Sequence, residues 1–95
     1  MAVETFPYDS AEYLDTADAV AAYLEAAFET EDAGFIARAF GTVARARGMT
    51  QIAKDAGLSR ESLYRALGEN GNPEFGTVLK VAKALGLRLA VVAAE

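Results

Sequence analysis

The stretch MTQIAKDAGLSRESLYRAL, residues 49–67, decides the reading of the fold. Two short amphipathic segments flank a glycine. In the first, Ile52, Ala53 and Ala56 share one side of a helix for which Thr50 is the expected N-cap. In the second, Leu63, Ala66 and Leu67 do the same behind Ser59 as N-cap. Gly57 supplies the left-handed backbone of a tight turn, which only glycine adopts without steric cost, and Leu58 then buries that turn. A helix-turn-helix needs a small residue where its helices cross, a turn glycine, an apolar residue after it and apolar residues along the second helix. Ala53, Gly57, Leu58, Leu63 and Ala66 meet those needs in order.

The second helix turns a polar face outward: Ser59, Arg60, Glu61, Ser62, Tyr64 and Arg65. When such a helix enters the major groove, its N-terminal residues reach base edges and its N-terminus attracts phosphate. Arg60 is the candidate for a bidentate contact with guanine, a pairing that discriminates by about 1–3 kcal/mol. Ser59, Glu61 and Ser62 offer hydrogen bonds to bases or phosphates, and Tyr64 and Arg65, one turn on, hold the DNA backbone. Thr50, Gln51 and Lys54 stand where the preceding helix crosses the phosphates. The structural alternatives are a first-turn acid for Glu61, a cap for Thr50 and a solvated face for Lys54.

Working outward, Asp15 or Thr16 caps a helix that runs to about Thr30 and places Ala17, Val20, Ala21, Leu24, Ala27 and Phe28 on one face. Asp32 caps the next, with Phe35, Ile36, Ala39, Phe40 and Val43 inward and Gly48 at its end. Arg45 and Arg47 in its last turn suit the negative end of the helix dipole, so structure alone explains them. Beyond the central pair, Gly68, Gly71, Asn72 and Pro73 form a loop. A helix from Phe75 to Leu85 follows, with Phe75, Val78, Leu79, Ala82 and Leu85 inward, and Gly86 stops it. The tail LRLAVVAAE alternates and is rich in branched residues, so it reads as a short strand. The expected fold class is all-α, a five-helix domain with a short C-terminal β-strand. It is a single domain over residues 1–95: an acidic extension and helix to 34, a helix-turn-helix core over 35–86, and the strand over 87–95.

Composition narrows the function. The chain has no Cys and no His, which removes disulfides, thiol nucleophiles, thiolate or imidazole metal sites and imidazole acid/base catalysis. An enzyme would need a carboxylate pair, and the acids fall on exposed helical positions with no apolar pocket to shift them. Neither an enzyme nor a cofactor is expected. No apolar run approaches the roughly 20 residues of a membrane span, and the first residues, MAVETFPYDSAEYL, lack a secretory signal. A cytoplasmic protein with no membrane partner is expected. The net charge of -5 conceals an asymmetry: residues 1–34 carry nine acids and no base, whereas residues 35–95 carry nine bases and five acids. Two surfaces with different partners are implied.

Four stretches, YDSAEYL at 8–14, AAYLEAAF at 21–28, ARARGMTQIAKDAGLSRESLYRAL at 44–67 and GNPEFGTVLKVAKALGLRL at 71–89, together resemble the addiction-module antidote family. These are helix-turn-helix antitoxins paired with RelE/ParE-like toxins. The resemblance spans nearly the whole chain, with Gly68 standing where the pattern often has Ser. It implies a bacterial or phage protein with a lambda-repressor-like fold. It also implies an antitoxin that neutralises a small toxin encoded beside it, commonly a ribosome-dependent mRNA endonuclease, and that represses its own operon. An RNA-cleaving toxin is basic to hold its substrate, so the acidic segment becomes a docking surface, with Tyr8, Asp9, Glu12 and Tyr13 as candidates. Its alternative is a solvated amphipathic face. One recognition helix gives a small footprint, so a homodimer on a palindromic double-stranded operator is expected, reading half-sites about 34 Å apart. The C-terminal strand is a candidate dimer element, with addition to a partner's sheet or packing onto its own helices as the alternatives. A stand-alone prophage-type repressor is the competing function.

Overall fold

The computed structural model of the chain describes residues 14–94. Among them are five helices: α1 (Ala17–Phe28), α2 (Ala33–Arg47), α3 (Met49–Ala56), α4 (Arg60–Ala66) and α5 (Phe75–Ala84). α3 is central and packs against α2, α4 and α5, while α1 packs on α2. The core they enclose is built on Val20 and Leu24 from α1, Phe40 and Val43 from α2, Ile52 and Ala53 from α3, Leu63 from α4 and Val81 from α5. Leu14, Leu67 and Leu85 close its margins. Each large side chain fully withdrawn from water contributes about 1.5–3 kcal/mol. Phe28 meets Phe40 edge to face at 6.1 Å, a geometry that favours aromatic pairs.

Local chemistry sets the ends of these helices. Thr16 caps α1 by accepting from the Ala19 amide at 3.1 Å, and Asp32 caps α2 by accepting from Phe35 at 3.0 Å. A single residue, Gly48, separates α2 from α3, at a φ of 109° open to glycine. Thr50 is therefore not the cap of α3. That helix starts at Met49, the Gly48 carbonyl accepts from Ile52 at 3.0 Å, and Thr50 sits exposed in the first turn. With α2 running to Arg47 and α3 starting at Met49, position 50 falls inside a helix and cannot take the extended backbone of a cap.

α3 ends as the sequence requires. Gly57 is left-handed, its amide bonds to the Lys54 carbonyl at 3.1 Å, and the Leu58 amide reaches back to Ala53 at 2.9 Å. This is the paired closure of a Schellman motif. Gly86 ends α5 in the same way, with Leu87 bonded to Ala82 at 2.9 Å. Gly41 serves packing instead: a Cβ there would stand 2.7 Å from the Leu67 carbonyl, so its absence lets the end of α4 lie against α2.

Three expectations need correction. Ala17 and Ala21 of α1 are exposed, and Phe28 and Phe35 are only partly covered where they flank the α1–α2 turn. In α5, Phe75 and Leu79 face solvent, 71% and 42% exposed, because the inward stripe runs through Val78, Val81, Ala82 and Leu85. Residues 87–94 form no strand. Leu87 and Leu89 pack against the core, but a strand exists only through a backbone ladder and no other strand is present among the described residues. Val91 and Val92 are consequently left 98% and 84% exposed.

Candidate nucleic-acid interface

α3 and α4 sort their side chains by polarity. Ile52, Ala53, Ala56 and Leu63 are buried, while Thr50, Gln51, Lys54, Ser59, Arg60, Glu61, Tyr64 and Arg65 are exposed and Ser62 is half-covered. All nine sequence-predicted contacts thus have access to a partner on the outside of this helix pair. Three of them already have work within the chain. Ser59 caps α4 by accepting from the Ser62 amide at 2.9 Å, and its hydroxyl donates to Ser62 Oγ at 2.8 Å. Gln51 Nε2 donates to Asp55 Oδ1 at 2.8 Å, one helical turn away.

The guanidinium of Arg60 lies 5.4 Å from the centre of the Tyr64 ring, within reach of a cation–π attraction. At an exposed site that attraction is worth about 0.5–1 kcal/mol, enough to bias a long side chain towards one rotamer.

Six of the nine predicted residues line two grooves, and Lys54, Ser59 and Glu61 line neither. Thr50, Gln51, Arg60 and Tyr64 line one, together with Gly48, Met49 and Arg45 of α2. Ser62 and Arg65 line another with Leu58, the loop from Asn70 to Glu74, and Thr77. Sequence reasoning assigned Arg45 to the helix dipole and so missed its place beside Arg60. The available signal was the spacing, since Arg45 stands one turn before the lone glycine that joins α2 to α3.

The toxin-contact candidates Tyr8, Asp9, Glu12 and Tyr13 lie outside the described residues. The other acids of the N-terminal third, Asp15, Asp18, Glu25, Glu29, Glu31 and Asp32, are all exposed. No helix among the described residues is long and apolar enough to cross a membrane.

Residues 4–93 match the model of a family described as "probable addiction module antidote protein". The chain is also 48% identical over 84 residues to an uncharacterized protein of Haemophilus influenzae, an alignment that covers 88% of this chain and 87% of that one. No solved structure gives a significant match. The chain belongs to the addiction-module antidote family, a membership that gives it an antitoxin role.

Proposed function

We propose that this antidote neutralises a RelE/ParE-like toxin encoded beside it by direct binding, and represses its own operon as a homodimer on a palindromic operator. The observation that carries the DNA arm is the polar outer face of α3 and α4 over a buried apolar inner one, in a chain whose residues 35–95 hold every base. In this reading Arg60 meets guanine, Thr50, Gln51 and Lys54 meet phosphates, and Tyr64 and Arg65 hold the backbone. Glu61 and the two serines add hydrogen bonds. Because Ser59 donates to Ser62, the Ser62 hydroxyl keeps its own proton for a base or a phosphate.

The N-terminal third supports the toxin arm. Residues 1–34 hold nine acids and no base, a charge complementary to a protein that must itself be basic to grip RNA. Tyr8, Asp9, Glu12 and Tyr13 are the contacts assigned to it. Dimerisation is supported by Phe75 and Leu79, apolar side chains one turn apart on the open face of α5. Pairing of the 87–95 segments across two copies is the other route. In this reading the protein acts in the cytoplasm as a binding protein without cofactor or catalysis.

Each arm has its own test. Neutralising Asp9, Glu12, Asp15 and Asp18 together should weaken toxin affinity at low salt, and undiminished affinity would remove the docking surface. Arg60→Ala should lower the preference for operator over shuffled DNA by about tenfold to a hundredfold, whereas an unchanged preference would take base reading away from Arg60.

A further inference from the structure

We propose that the DNA surface extends beyond α3 and α4 onto α2, with Arg45 as a phosphate anchor. The inference rests on the DNA-binding reading above and adds a residue to it. Arg45 is exposed in the last turn of α2, and since Gly48 alone joins that helix to α3, this turn abuts the start of α3. Arg45 lines one groove with Arg60, Tyr64, Thr50 and Gln51.

Charge makes this groove a fit for a polyanion. Two guanidiniums line it and no acid does, whereas each of two other grooves sets a carboxylate beside its arginines, Glu74 with Arg65 in one and Glu69 with Arg38 and Arg45 itself in the other. The Arg60 guanidinium lies 5.4 Å from the Tyr64 ring centre, a contact that biases its charge towards this wall. Arg45 Nη2 donates to Thr42 Oγ1 at 3.4 Å, a long hydrogen bond readily exchanged for a charge-assisted one to a phosphate oxygen. A guanidinium also suits phosphate in shape, since its planar fork can bond two oxygens at once.

Arg47 provides the internal control. It lies in the same last turn and is exposed, so a helix-dipole role would make the two arginines equivalent. Arg47 does not line the groove. If Arg45 is a phosphate anchor, the two must differ.

The experiment is a salt titration of binding, followed by fluorescence anisotropy. One duplex spans the promoter of the gene that encodes the chain, and the other is its shuffled counterpart. Wild type is compared with Arg45→Ala, Arg45→Gln, Arg45→Lys and Arg47→Ala, each first checked by thermal melting. Each phosphate contact contributes about 0.9 to the slope of log K against log salt, so both Arg45→Ala and Arg45→Gln should lower the slope by about that amount on both duplexes. Both should also weaken binding about tenfold at low salt without changing the preference between duplexes. Arg45→Lys should restore the slope, and Arg47→Ala should leave it near the wild-type value.

An unchanged slope in Arg45→Ala and Arg45→Gln would overturn the assignment, as would an equal fall in Arg47→Ala or a loss of preference between duplexes. If wild type bound neither duplex, the DNA-binding reading itself would fall, and this inference with it.

Discussion

α3 and α4 each carry one apolar stripe, whereas α5 carries two. In the first pair every large apolar side chain except Tyr64 turns towards the core, and the outer face is left to polar groups. In α5, Val78, Val81, Ala82 and Leu85 serve the core while Phe75 and Leu79 remain outside it. A helix with one stripe has completed its burial within its own chain and offers hydrogen bonds and charge to a partner. A helix with two offers area. Under the proposed function, polar recognition falls to α3 and α4 and apolar association to α5.

Four tests bear on this division, at Leu63, Gly57, Ser59 and the Phe75–Leu79 pair. Leu63 is fully buried at the centre of the α4 inner face, so Leu63→Ala should cost about 2–5 kcal/mol in urea denaturation. A smaller loss would mean that α4 is held chiefly by its outer contacts. Gly57→Ala forces a side chain into left-handed backbone and should cost about 1–2 kcal/mol by the same measurement. The Schellman closure of α3 would be in error if this variant were as stable as wild type. Ser59→Ala removes the α4 cap at a cost of about 1 kcal/mol, and Ser59→Asp should recover most of it because aspartate accepts the same amide. Failure of the aspartate variant to recover stability would point to the Ser59–Ser62 hydroxyl pair as the more important contact. Paired Phe75→Ser and Leu79→Ser substitutions, at 71% and 42% exposed positions, should shift sedimentation towards the monomer while costing the monomer's unfolding free energy less than Leu63→Ala does. A sedimentation profile identical to wild type would take dimerisation away from α5.

The two regions also differ in how legible they are in the sequence. The central pair announces itself because its signals agree: Gly57 can only be a turn, Ser59 is a preferred cap, and the apolar spacing admits one phase. α5 is ambiguous because Phe75 and Leu79 fit a stripe with Val78 as well as Val81 does, and local periodicity does not say which apolar face meets the core. Thr50 reads as a cap because Thr is a good N-cap, while the one-residue junction at Gly48 depends on how α2 and α3 pack. The tail alternates like a strand, but strand formation needs a second strand, which lies beyond what local sequence specifies. The role of Arg45 was hidden for a similar reason. Its dipole explanation is local, and its neighbourhood with Arg60 arises only when α2, α3 and α4 come together.

The central claim, an antitoxin role exercised on a toxin encoded beside it, is tested most directly by a growth assay. The neighbouring small open reading frame is induced alone and then together with this protein. The account predicts growth arrest in the first case and relief in the second. A harmless neighbour, or an arrest that persists while the protein is expressed and folded, would contradict it.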